Sequence, residues 1–260
     1  MQAVRMSASR QTAQDDAAKP WPKISTLGVD AILVSFGDRL SETANRAALA
    51  FRDAVERENL MGLSETSTSL VSTLLKFDPD AMPHATLVAS LQALLESRDW
   101  FDAPLPQGRR LWRIPTVYGT TLAPQLEEAA TAAGLSPAQA IAQISSARVR
   151  VQTIGFAPGQ PYLGELPPEW NIPRQQALTE KVPVGALVVA IRQLVLFSVS
   201  TPTGWRHIGQ TGFRLFRPEQ ENPFVLRPGD EVIFEAVDRE VYERMKTAGA
   251  DAGATSQVIP

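Results

Sequence analysis

Three stretches of this 260-residue chain hold the residue types best suited to chemistry. The first is GFAPGQPYLGELP, residues 155–167. Its glycines permit close backbone approach, and Pro158, Pro161 and Pro167 stiffen it. Phe156 and Tyr162 can cover a concave face there, while free backbone N–H groups around Gly159 suit an anion or a carbonyl oxygen. A β-connection that needs unusual turns accounts for the same residues. The second stretch is TPTGWRHIGQTGFRLF, residues 201–216. It sets Trp205 and Thr211 beside glycines, with Arg206 and Gln210 placed to orient a carboxylate or an amide. Trp205 is equally suited to plugging a barrel corner. Third is Arg174, between Pro173 and VPVG, a cationic fork able to bind an acid or to hold its loop through carbonyls.

The rest of the sequence removes many alternatives. Zero cysteines exclude a disulfide framework, a thiolate zinc site and a cysteine nucleophile. Two histidines, His84 and His207, are too few for a multi-histidine metal centre. His84 follows Pro83 at a helix start and reads as a capping or surface residue. His207 lies inside the strand-like WRHIG and is a core residue or a cleft-lining one. No GxxxxGK[ST], GxGxxG or GxSxG run occurs. A formal charge of −3 argues against nucleic acid as a partner. No apolar window spans a membrane, and residues 1–22 lack the apolar core of a secretory signal. They read as a disordered lead-in to a cytoplasmic protein.

These residues need elements to position them. AILVSFGD reads as a strand, and the run after it as a helix capped at Ser41 or Thr43 and ended by Asn59. TSLVSTLLKFDP supplies another strand, and a second helical pattern runs from His84 to Leu95. The spacing predicts a small α+β domain over 23–100 and a Pro/Gly-rich linker over 101–110. LWRIPTVYG then reads as a strand before two short helices, the second opened by a Ser136–Pro137–Gln139 capping signal. VRVQTIGF, ALVVAI, LVLFSVS, WRHIG, PFVL and EVIFEAV are strand candidates for a closed or nearly closed barrel over 111–246. Residues 247–260 read as a flexible tail.

GFAPGQPYLGELP, IPRQQALTEKVPVGALVVA, STPTGWRHIGQT and LRPGDEVIF, in this order, resemble one known family. It contains the B-type subunit of the bacterial ATP-dependent 5-oxoprolinase, the sporulation-kinase inhibitor KipI, and the subunit-1-type allophanate hydrolase and urea carboxylase modules, that is, carboxyltransferase subdomains C and D. The resemblance is dense over 112–237 and weaker upstream. It implies an α+β N-terminal domain followed by a mainly-β cyclophilin-like barrel domain. It also implies a chain that works beside a homologous C-type barrel protein and a LamB/YcsF-type third subunit. The implied reaction opens 5-oxoproline to glutamate with hydrolysis of ATP, accompanied by magnesium, at a site that a subunit interface can complete.

Carried over position by position, the resemblance puts Phe156, Pro158, Gly159 and Tyr162 in a substrate loop and Arg174 on the substrate carboxylate. Gln193, Trp205 and Thr211 follow as the barrel-side wall, with His207 as a further substrate-binding candidate. The chain also departs from the family pattern. Gln160 replaces a second aromatic, Leu178–Thr179 a Pro-Arg pair, Thr203 a glycine, Ala186 a serine, Gln210 an arginine and Gly212 a proline. Ile144 and Val149 stand where a histidine and a tyrosine are frequent. A KipI-like kinase inhibitor and a carboxyltransferase-like module acting on urea-derived substrates are the alternative readings.

Overall fold

A computed structural model describes residues 21–260. The expected lead-in over 1–22 falls almost wholly outside the described residues. The first unit comprises β1 (Lys23–Leu27), β2 (Ala31–Ser35), α1 (Glu42–Glu58), β3 (Leu63–Ser69), β4 (Ser72–Phe77) and α2 (His84–Glu96). Its strands form an antiparallel sheet in the order β1-β2-β4-β3. Helix α1 begins where the Ser41 side chain accepts from the Ala44 N–H and ends at Asn59, whose φ of +46° breaks the helix. One face of the sheet, carrying Ile32, Val34 and Leu75, packs on Ala47, Phe51 and Val55 of α1 and on Leu87 and Leu91 of α2.

Two expectations change here. TSLVSTLLKFDP is no single strand; the chain reverses at Leu70 (φ +51°) to pair β3 with β4. The expected linker over 101–110 is also shorter. Residues 100–102 form a 3-10 turn in which Trp100 is buried, edge-on to Phe51 at 5.1 Å. Arg109 and Arg110 already belong to the next strand.

The second unit contains β5 (Arg109–Arg113), β6 (Val117–Tyr118), α3 (Leu126–Ala132), α4 (Pro137–Ser146), β7 (Val149–Ile154) and β8 (Pro161–Gly164). There follow β9 (Thr179–Val182), β10 (Ala186–Ala190), β11 (Gln193–Leu196), β12 (Thr201–Thr203), β13 (Arg206–Gln210), β14 (Glu231–Ile233), α5 (Arg239–Lys246) and β15 (Thr255–Ile259). Nine strands make one curled sheet, β15-β5-β14-β7-β8-β11-β10-β13-β6, and β9 pairs with β12 in a separate ribbon. The sheet curls because residues 109–118 serve both of its margins. β5 lies between β15 and β14, while β6, a few residues on, pairs with β13. Between them the N–H groups of Ile114 and Thr116 donate to Ile233 and Glu235 carbonyls. Leu187, Val189, Leu194, Leu196 and Ile208 fill the inner face, closed by Leu126 of α3 and Ala140 and Ile144 of α4. Helix α4 carries the expected capping box between Ser136 and Gln139.

The C-terminal tail is a correction. Residues 255–259 pair antiparallel with β5 in five-residue register and bury Ile259. A strand held at a sheet margin by the backbone of one neighbour needs few apolar side chains, so composition misreads it. PFVL contributes only an isolated bridge between Phe216 and Phe224.

The two units meet through polar groups. Buried Asn45 donates to the carbonyls of Leu70 and Gln152 and accepts from Arg150, which also pairs with Glu42 at 3.0 Å. Thr153 Oγ1 donates to the Thr68 carbonyl at 3.2 Å. Among the described residues no helix is long and apolar enough to cross a membrane.

Candidate functional site

Alternation along the strands gives the curled sheet a second face, opposite the core. On it Val182, Ala186, Val188, Val195, Phe197 and Trp205 form a separate apolar cluster. Cross-strand register lines up Tyr162, Val195, Val188 and His207 on β8, β11, β10 and β13. Three strand spacings put Tyr162 and His207 about 14 Å apart. The extra residue in β13, Ile208, lets His207 share this face while Ile208 itself enters the core.

At the β13 end of the row lies a cleft of about 780 Å³, a size suited to a small molecule. His207, Gln210, Thr211 and Gly185 line it, with Gln125 beside them. The backbone of His207 is fixed from both directions. Its N–H donates to Gln125 Oε1 at 2.8 Å, and its carbonyl accepts from the Gln125 N–H at 3.0 Å. Gly185 is required where it stands. Its φ is +79°, and a Cβ there would lie 2.1 Å from the Thr211 carbonyl oxygen and 2.9 Å from Gln210 Nε2.

Two buried polar atoms of the cleft lack partners, His207 Nε2 and Gln210 Oε1. Burial lowers the His207 pKa from its ordinary 6.5, against opposing contributions from the Gly209 backbone and the Gln210 side chain. The imidazole is therefore neutral at pH 7, with one nitrogen free to accept a proton. Lys181, Arg214 and Lys246 also line the cleft, and among the described residues no carboxylate does. Arg214 is paired with Glu219 at 2.9 Å, which leaves the two lysines as the freer cations. The arrangement suits an anionic ligand with hydrogen-bonding groups.

Of the residues singled out in the sequence, His207 and Thr211 line this cleft. Trp205 and Tyr162 meet edge-on at 6.3 Å farther along the same face, and the Arg174 guanidinium lies 5.3 Å above the Trp205 ring. Gln193 is buried, donating to Gln152 Oε1 at 2.8 Å. Phe156, Pro158 and Gly159 form the β7–β8 connection. Gly155 and Gln160 close it by a backbone bond, and Gly159 abuts the Leu215 carbonyl with no room for a side chain. None of these seven reaches the cleft. Arg206, expected to orient a ligand, is engaged by Glu128 at 2.8 Å and by the Pro173 carbonyl.

Sequence reasoning passed over Gln125, Lys181 and Lys246. Lys246 sits on α5, whose start was signalled by Asp238, capping the Val241 N–H, ahead of Val241, Tyr242 and Met245 at helical spacing.

The family described as carboxyltransferase domain, subdomain C and D, matches residues 22–226. This chain belongs to that family. A Bacillus subtilis relative, named as the B-type subunit of 5-oxoprolinase, is 31% identical over 232 residues, covering 86% of this chain and 96% of its own. An Escherichia coli O157:H7 relative of the same name is 37% identical over 147 residues, or 56% of this chain and 67% of its own. Among solved structures, TTHA0988 superposes with a TM-score of 0.68 at 31% identity over 81% of this chain. That match takes in 40% of TTHA0988, so this chain spans about two fifths of its length. The Kluyveromyces lactis urea amidolyase superposes with a TM-score of 0.67 at 16% identity, over 91% of this chain and 16% of its own, which is a likeness of fold.

Proposed function

We propose that this chain is the B-type component of an ATP-dependent 5-oxoprolinase-type amidohydrolase, which converts 5-oxoproline, ATP and water to glutamate, ADP and phosphate. The names of its relatives support the reaction class. The observation that carries the reading is the cleft itself. It has a cationic rim without carboxylates, above a neutral buried imidazole and an unpartnered amide oxygen.

A lactam carbonyl is a poor electrophile, and ATP supplies the phosphoryl group that makes its carbon open to water. In this reading Lys181 and Lys246 draw the substrate carboxylate to the rim. His207, neutral and held by Gln125, accepts a proton at its free nitrogen, and the Thr211 hydroxyl orients the polar edge of the ring. The cations also suit phosphate oxygens, but the cleft offers magnesium no carboxylate. Among the described residues no three acidic or imidazole side chains gather around one point. The residues lining the cleft therefore do not fit a magnesium site.

The partner in this reading is the homologous C-type barrel protein, and a LamB/YcsF-type protein joins as the third member of the complex. Phe156 and Phe224, 73% and 51% exposed, are aromatic side chains available for contact with it. The test is ATP-dependent glutamate release from 5-oxoproline by the chain alone and then co-expressed with its genomic neighbours. Release by the complex that collapses in His207→Ala supports the proposal; no release from a well-assembled complex overturns it.

A further inference from the structure

The orientation of the Gln210 carboxamide is set by its surroundings. Its nitrogen lies 2.8 Å from the Val184 carbonyl and 3.1 Å from that of Thr211, two acceptors that only the NH2 end can satisfy. Turning the amide over would set its oxygen against both carbonyls. Gly185 closes the space behind, since a Cβ there would press on Gln210 Nε2. The oxygen is therefore held at the wall of the cleft beside the His207 ring, on a side chain only 5% exposed, and among the described residues it makes no hydrogen bond of ordinary geometry. His207 Nε2, equally without a partner, belongs to the same wall. Leaving a buried amide oxygen unpaired is costly, and a ligand that brings a donor removes that cost.

We infer that Gln210 determines ligand specificity: its side-chain oxygen accepts a hydrogen bond from an N–H of the bound molecule, with His207 as the neighbouring contact. The cleft then selects an anionic ligand that carries an amide N–H over a same-shaped ester or lactone. The inference rests on the cleft being the small-molecule site of the proposed function.

The test uses the full-length chain assembled with its partner proteins and measures binding by calorimetry without ATP. The probes are 5-oxo-L-proline and its ring-oxygen analogue, 5-oxotetrahydrofuran-2-carboxylate. The lactam is expected to bind about 10- to 100-fold more tightly than the lactone. Gln210→Lys, which keeps donors for both carbonyls but has no acceptor, and Gln210→Met reduce that ratio to about threefold or less by the same reasoning. A Lys181→Met/Lys246→Met double variant weakens both probes alike. Equal binding of the two probes by the unaltered complex, with both weakened in the double-lysine variant, overturns the role of Gln210 and leaves the cleft standing. A ratio retained in the Gln210 variants also overturns it. Binding that ignores the double-lysine substitution, or no binding at all, overturns the cleft and this inference together.

Discussion

Gln125 and His207 clasp each other through two hydrogen bonds that run in opposite directions, backbone to backbone at 3.0 Å and backbone to side chain at 2.8 Å. Gln125 occupies the N-cap position of α3, yet its side chain caps nothing there and reaches across to β13. The start of the helix is thus tied to the strand that presents the imidazole. Replacing Gln125 with Ala leaves the His207 N–H unpaired and costs about 1–3 kcal/mol. Gln125→Glu keeps an acceptor oxygen and holds most of that stability. Urea unfolding of the two variants checks the difference. Equal losses in both would remove the clasp as the cause.

The buried imidazole gives stability a pH dependence of definite sign. The His207 pKa is lowered in the folded chain by burial, so between its ordinary 6.5 and the lower folded value the unfolded chain binds more protons. Its contribution is complete above about pH 6.5 and is lost as the pH falls through that window. His207→Leu abolishes this share of the acid destabilisation. The check is the difference between the two proteins in urea midpoint at pH 7.5 and at pH 5.5. Parallel shifts would mean that other groups carry the effect.

Ending the chain after Gly253 removes β15 and bares the margin of β5. Loss of buried Ile259 alone amounts to roughly 2 kcal/mol, which corresponds to a fall of about 4–8 °C in the melting temperature. The exposed strand edge also invites association between molecules. Thermal scans and light scattering of the truncated chain test both effects. An unchanged melting temperature would return residues 255–259 to the status of a loose tail.

The helices were legible because their ends carry explicit chemistry. Ser41, Asn59, Ser136 and Gln139 each do at α1 and α4 what their residue types announce. The strands of the barrel core were legible as branched apolar runs. β1, β3 and β15 were not, since an edge strand such as LSETSTS is set by its partner's backbone rather than by its own side chains. The site was only half legible for a similar reason. Motifs rich in glycine and proline drew attention to 155–167, where the glycines serve a tight connection. Gln125, Lys181 and Lys246 come from three elements and meet only after the sheet curls. No local pattern marks them.

One buried amide takes part in two of the hydrogen bonds between the two units. Asn45, fully buried, gives both of its amide hydrogens to carbonyls, one in its own unit and one, Gln152, in the barrel, while its oxygen accepts from Arg150 at 3.2 Å. The neighbouring Arg150–Glu42 pair is half in solvent on the glutamate side and contributes little by itself. Asn45→Leu, close in volume, removes all three bonds and leaves polar groups of both units unpaired, at roughly 2–4 kcal/mol. Glu42→Ala, by contrast, costs less than about 1 kcal/mol. If Asn45 couples the units, the unaltered chain unfolds in one transition and Asn45→Leu in two, as followed by circular dichroism and calorimetry. A single transition in Asn45→Leu, shifted no more than in Glu42→Ala, would show that the units are held together by their packing and not by this amide.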